Sequence, residues 1–304
     1  MKYLRKFENE AAYEAYKESE DWITPNVSLC TGENTVKYEP FIPLPPHGYS
    51  QDYLTIVSAS DNNVIGWKVS DVSEAKTISV STDNGSTWTD VTSTTSGATL
   101  ATLNTGDKLL IKGSNTAYGI SSNYNYFTSS DQFNVEGNIM SLLYGDNFED
   151  QATLSSNYTF ENLFYNSKIV NACNLILPAT TLANSCYSSM FQGCTSLVTA
   201  PELPATTLAF GCYQIMFRDC TSLVTAPELP ATTLAQSCYY LMFYGCNNLS
   251  KITMLATNTS AFNCLSEWVK EVAATGTFIK NPAMKTLPTG VNGIPSGWTV
   301  EDAS

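Results

Sequence analysis

Histidine is almost missing from this 304-residue chain, in which His47 stands alone. Basic residues are scarce as well, with 15 Lys and Arg against 28 Asp and Glu, a formal net charge of −13. Such a balance repels a nucleic-acid backbone or an anionic membrane surface, so neither is expected as a partner. No stretch approaches the ~18 consecutive apolar residues of a membrane-spanning helix. The amino terminus, MKYLRKFENEAAYEAYKESEDW, lacks the apolar core of about 7 to 15 residues that a secretion signal requires. Export through a Sec pathway is therefore not expected. The Asn-x-Ser/Thr matches at Asn26, Asn84, Asn157, Asn248 and Asn258 carry no expectation of glycosylation.

Recognisable catalytic motifs are lacking too. The chain contains no G-x-S-x-G, no H-E-x-x-H, no P-loop and no C-x-x-C. His47 lies in the proline-rich run PFIPLPPHGYS, where a solvated loop is the plain reading. Acidic residues are scattered, and residues 177–254 hold few charges, so no carboxylate pair points to glycoside hydrolysis. Glu202 and Glu228 each follow a proline at the end of a short β-run and read as solvated edge charges. Asp83 and Asp107 lack the surrounding oxygen ligands that Ca2+ needs. The expectation is a protein that is not an enzyme and takes no cofactor or metal.

Repetition is what the chain has in abundance. LPATTLA begins at Leu177, Leu203 and Leu229, a period of 26 residues, and such a period signals stacked units. CYSSMFQGC (186–194) returns as CYQIMFRDC (212–220) and CYYLMFYGC (238–246). A weaker unit, LFYNSKIVNACNLI, precedes these, and LATNTSAFNC follows, as degenerate terminal copies would. Wound as a helix, Cys186, Tyr187, Met190, Phe191 and Cys194 fall within roughly 140 degrees of arc, the width of a buried stripe. The Leu197–Ala200 run, closed by Pro201 and Pro204, reads as a short strand. Eight helical residues advance about 12 Å, too far for the cysteines of one unit to bond, since disulfide Cα atoms approach to about 4.4–6.8 Å. Core filling is the expected role of the thiols, with disulfides between stacked units or a metal site as the alternatives.

Elsewhere, residues 1–22 place Leu4, Phe7, Ala11 and Ala15 on one helical face, and PNVSLCTGENTVKYEP reads as a hairpin turning at Gly32-Glu33-Asn34. From Tyr53 to about Val135, β-runs alternate with turn residues at Asp61-Asn62-Asn63, Asp83-Asn84-Gly85 and Asn104-Thr105-Gly106-Asp107, the pattern of a β-sandwich. After the last repeat, Cys264, Leu265, Trp268, Val269 and Val272 keep the spacing of CYxxMFxxC, and the TFIK and GIPSGWTV runs could add strands that cover the open sheet edge.

The unit built of LPATTLA, CYxxMFxxC and TSLVTAPE resembles the BspA-like leucine-rich repeats of bacterial surface adhesins. MKYLRKFENEAAYEAY, followed by PNVSL and VKYEP, resembles the openings of virion proteins from bacteriophages of gut bacteria, and DNGSTW is similar to a hairpin of bacterial and phage β-sandwich modules. A virion protein is assembled in the host cytoplasm and released by lysis, so it needs no secretion signal. The expected fold class is therefore α+β and multidomain. It comprises an N-terminal helix/hairpin docking segment with a Pro-rich linker (1–50), an antiparallel β-sandwich (51–140), a C-terminal leucine-rich-repeat solenoid (141–276) and a cap (277–304). These resemblances imply a virion surface protein, a head or tail decoration or fibre, oligomeric in its assembly. It would contact other virion proteins through residues 1–50 and a host-surface glycan or protein through the repeats. The alternative is a cell-surface adhesin, with a glycan-active enzyme a distant third. Exposed aromatic and Arg side chains are the usual binding anchors. The repeats differ most at 184/210/236, 188/214/240, 189/215/241 and 192/218/244, which nominates Phe210, Gln214, Arg218, Tyr240 and Tyr244 as ligand contacts.

Overall fold

The computed structural model describes Asn26–Leu29, Lys37–Pro40 and residues 52–303 except 286. The chain divides into two units, Met1–Gln51 and Asp52–Ser304. In the first, β1 (Asn26–Leu29) pairs antiparallel with β2 (Lys37–Pro40), Asn26 opposite Pro40, as the hairpin reading expects. The expected helix of residues 1–22, the turn at Gly32-Glu33-Asn34 and the proline-rich connector with His47 lie outside the described residues.

The second unit opens with ten strands: β3 (Leu54–Ser58), β4 (Asn63–Val69), β5 (Thr77–Ser81), β6 (Thr89–Thr92), β7 (Ala98–Leu103), β8 (Lys108–Lys112), β9 (Gly119–Ile120), β10 (Asn123–Ser129), β11 (Phe133–Asn138) and β12 (Ile169–Ile176). They form a four-stranded sheet, β7-β4-β10-β9, and a six-stranded sheet, β12-β11-β3-β8-β5-β6. Pairing is antiparallel except between β11 and β12. Ile65, Trp67 and Phe127 from the first sheet and Leu54, Ile56, Leu109 and Ile111 from the second are all fully buried, which is what the alternating apolar runs are for. Turn chemistry closes the strands where the sequence places it: Asn62, Asn84, Gly85 and Gly106 all take positive φ.

The repeats correct the expected fold class. The only α-helix among the described residues is the single turn Ser141–Tyr144, with 3-10 turns at Val72–Glu74 and Gly145–Asn147. The described residues are mostly β-sheet and turns, not α+β, and the repeats do not form a leucine-rich-repeat solenoid of helix-and-strand units. Each CYxxMFxxC segment is a run of tight turns. Ser188, Met190, Gln192 and Cys194 donate their N–H to the carbonyls of Ser185, Tyr187, Ser189 and Phe191, three residues back. The intervening Ser185, Tyr187, Ser189, Phe191 and Gly193 instead donate to Phe210, Cys212, Gln214, Met216 and Arg218 of the next copy. Every fourth residue lies at positive φ, at 185, 189 and 193, again at 211, 215 and 219, and again at 237, 241 and 245. The period is thus four residues, whereas a helix turns in 3.6. Over nine residues the two differ by roughly 80 degrees, inside the width of the stripe, so the five buried positions fit both. The expected strand Leu197–Ala200 likewise shrinks to one bridge, Asn171 to Thr199.

Stacking the copies in register builds two columns of aromatic rings. One runs Tyr118, Phe160, Tyr187, Tyr213, Tyr239 and Trp268, with neighbouring centroids 5.7–6.4 Å apart. The other runs Phe127, Phe164, Phe191, Phe217, Phe243 and Trp268 at 5.4–6.1 Å. Trp67 touches Tyr118 and Phe127, so both columns start in the sheet core and converge on Trp268. Each ring contact adds about 0.5–1.5 kcal/mol to the burial of the rings themselves. The thiols fill the rest of the interior. Cys194, Cys220 and Cys246 also donate from Sγ to the carbonyls of Phe164, Phe191 and Phe217, 3.0–3.1 Å away in the preceding copy. The seven cysteines from Cys186 to Cys264 are free and buried.

At the far end β13 (Lys251–Met254), β14 (Thr277–Lys280) and β15 (Thr299–Asp302) form a parallel sheet. The TFIK run and the end of GIPSGWTV do add strands over the edge of β13, as the sequence suggests, and β15 is then the new edge, exposed along its whole length. Glu301 and Asp302 sit on it, charges that discourage pairing with another chain. Trp268 fits because a loop, not a full copy, lies over it: its Nε1 donates to the Gly293 carbonyl at 2.9 Å.

Urea unfolding tests the columns. Trp268→Ala removes the ring on which both columns end and is expected to cost about 3–5 kcal/mol. Tyr187→Phe should instead stabilise by about 1 kcal/mol, because the Tyr187 hydroxyl is buried without a hydrogen-bond partner and removing it frees the fold of that desolvation cost. A neutral Trp268→Ala or a strongly destabilised Tyr187→Phe would refute this account of the columns.

Candidate functional site

The five nominated residues project from the turn runs, but they do not form one site. Gln214 is half-buried and donates from Nε2 to the Ser188 hydroxyl of the preceding copy at 3.2 Å, so it seals the surface. Arg218 and Tyr244 belong to a column with Gln192 and Lys270. The Arg218 guanidinium carbon lies 4.9 Å from the Tyr244 ring centroid and Lys270 Nζ lies 5.1 Å from the same centroid. Each such cation–ring contact is worth about 0.5–1 kcal/mol at an exposed site. Arg218 Nε is also 3.3 Å from Asp219 Oδ2, though without hydrogen-bond geometry, and the Tyr244 hydroxyl donates to Glu271 at 3.3 Å. These side chains are therefore engaged with one another along the stack. Tyr240 is half-buried.

Phe210 differs, being 43% exposed. Its column continues through Gln236 to Phe262, which is 69% exposed and which the sequence reading does not nominate. The register is fixed by backbone bonds: Ser185, Gly211 and Ser237 donate to the carbonyls of Phe210, Gln236 and Phe262. Two rungs of about 4.8 Å separate the two rings' backbones, so they stand roughly 9–10 Å apart along the stack. Phe262 could have been found by extending the 26-residue spacing from Gln236 into the degenerate last copy.

The buried thiols are not a reactive centre. Burial pushes Cys186 and Cys194 up to about 12, so both stay protonated and poorly nucleophilic. Among the described residues no three His, Cys, Asp or Glu side chains are grouped to hold a metal ion. Asp83 is taken up by its own turn: Oδ1 accepts from the Thr87 N–H at 2.9 Å and Ser81 Oγ at 2.7 Å, and Oδ2 from Thr87 Oγ1 at 2.6 Å. Those bonds, the Thr87 hydroxyl first, lower its pKa to about 2.

The first copy begins earlier than the sequence suggests. Phe160 and Phe164 occupy the ring positions, which puts Glu161 in the column of Ser188, Gln214 and Tyr240, and Tyr165 in the column of Gln192, Arg218 and Tyr244. Glu161 is 6% exposed, and its Oε2 has no hydrogen-bond partner. Burial alone raises its pKa from 4.5 to about 7.

No family model, curated protein or solved structure matches the chain.

The pKa of Glu161 gives the fold a pH dependence. The native state holds this proton more tightly than the unfolded chain, so its contribution is complete below about 4.5 and is lost as pH rises through about 7. Glu161→Gln keeps the shape and removes the charge. Its melting temperature should track that of the parent near pH 4 and exceed it by about 3 °C or more at pH 8. Parallel melting curves from pH 4 to 8 would overturn the assignment.

Proposed function

We propose that the chain is a non-enzymatic surface protein of a virion, a head or tail decoration or fibre, that adheres to host or mucosal ligands through the outer face of its stacked copies. One observation carries the reading. Phe210 and Phe262 stand exposed in one column of a stack whose interior hardly changes between copies. Aromatic rings fixed on a rigid backbone lose little freedom on binding, which is why such residues anchor interfaces. The virion setting draws on the likeness of the opening segment to phage virion proteins, with residues 1–50 contacting the rest of the particle. A bacterial cell-surface adhesin is the second reading, favoured by the likeness of CYxxMFxxC and TSLVTAPE to adhesin repeats.

Fluorescently labelled protein incubated with gut bacterial cells and with immobilised mucin tests the adhesive role. Phe210→Ala combined with Phe262→Ala should weaken retention about tenfold or more, with an unchanged melting temperature because both rings are exposed. Failure of the parent protein to bind either surface, or equal binding by the double variant, would sink the reading. Mass spectrometry of purified particles and of cell envelopes separates the two settings.

A further inference from the structure

We propose that Tyr124, Tyr126, Tyr165, Lys68 and Glu161 form a saccharide-binding subsite for a neutral, hydroxyl-rich sugar ring, separate from the Phe210 and Phe262 column. Side chains alternate across a strand. On β10, Asn125 and Phe127 point into the core, so Tyr124 and Tyr126 lie on the outer face, where both are half-buried. Lys68 on β4 is the register partner of Tyr126, and its Nζ lies 5.9 Å from that ring's centroid. Tyr165 arrives from the first copy and touches both rings. The three centroids are 5.5, 5.9 and 6.3 Å apart, with interplanar angles of 52, 71 and 80°.

Glu161 supplies the polar half of the subsite. Gly119 on β9 is the register partner of Tyr124, so the place where its side chain would stand is on the same face as the Tyr124 ring. Glu161 fills that place: a Cβ on Gly119 would lie 3.1 Å from Glu161 Oε2. The carboxyl is close enough to Tyr124 to help raise that hydroxyl's pKa, after burial and the other two tyrosines. A buried acceptor with no donor is costly unless something donates to it. A hydroxyl reaching down beside Tyr124 would do so.

The chemistry selects among ligands. An anionic ligand would meet the Glu161 carboxyl. A quaternary ammonium needs a gap between ring faces, but here Tyr165 packs edge to face on both other rings, which closes that gap. A sugar ring can lay its C–H face on tyrosine while its hydroxyls accept from Lys68 and the phenols and donate to Glu161.

An array of defined neutral and acidic oligosaccharides, probed with the full chain and followed by titration calorimetry on any sugar retained, tests the proposal. At least one neutral saccharide should be retained. Tyr126→Ala and Tyr165→Ala should each weaken it about tenfold or more, while Phe210→Ala with Phe262→Ala leaves it unchanged. Lys68→Ala keeps all three rings packed and should also weaken binding, which guards against loss of fold in the tyrosine variants. The proposal is overturned if no saccharide is retained, if only acidic sugars are, or if Tyr126→Ala and Lys68→Ala bind like the parent. Loss in the Phe210 and Phe262 variant alone would likewise overturn it, and would locate the sugar on the other column.

Discussion

Register between copies is the constraint on which the rest of this molecule depends. Half of the N–H groups in each turn run leave the run altogether and bond to the next copy, as Tyr187 does to Cys212 and Phe191 to Met216. A buried backbone donor has to be paired, so one copy cannot slide past its neighbour without breaking a whole row of bonds. Fixed register then places like over like. Tyr187, Tyr213 and Tyr239 stack with interplanar angles of 7 and 19°, and Phe191, Phe217 and Phe243 with 6° at both steps. Near-parallel rings in contact from copy to copy favour a flat aromatic side chain at each of these positions. The interior is therefore repetitive for a steric reason, and the outward positions escape that reason.

The same geometry explains the small residues of the repeat. A position at positive φ suits glycine, and the asparagine or aspartate of a neighbouring copy can occupy the space that glycine leaves. A Cβ at Gly193 would run into the Asn166 side-chain oxygen, and one at Gly245 into Asp219. Ile215 and Leu241 take positive φ with bulky side chains, which is an unfavourable conformation held by the surrounding bonds. Cysteine at 194, 220 and 246 is both small enough for the interior and able to donate to a carbonyl one copy back, a combination that alanine lacks.

Much of this was legible in the sequence and some of it could not be. The strands from Leu54 to Ser129, the first hairpin and the burial of the CYxxMFxxC stripe follow from alternation, turn residues and spacing. The conformation of the stripe does not, because nine residues cannot separate a period of four from one of 3.6. The hint lay in the residues between the apolar ones: Ser185, Gly193, Gly211, Asp219, Ser237 and Gly245 recur where a helix gains nothing from them. For the candidate surface, variation between copies pointed to the outward positions, but variation cannot tell an exposed ring from one clasped by its neighbours. Phe210 is open, whereas Tyr244 lies between Arg218 and Lys270. The tyrosine face was invisible because Tyr124 and Tyr165 are brought together only by the joint between sheet and stack.

That joint also settles how a stack of identical units can begin. A first copy has no predecessor to complete its columns, and here the sheet core stands in for one: Tyr118 stacks on Phe160 at 12° and Phe127 on Phe164 at 25°. Phe127 and Leu163 are further tied by a backbone bond of 2.9 Å. Spacing loosens where the two parts meet, since Phe160 precedes Tyr187 by 27 residues and the later copies keep 26. Glu161 and Tyr165 stand in variable outward columns at this joint, and there β9 and β10 stand beside them, Gly119 against Glu161 and the Tyr124 and Tyr126 rings against Tyr165, a neighbour that the same columns lack in later copies.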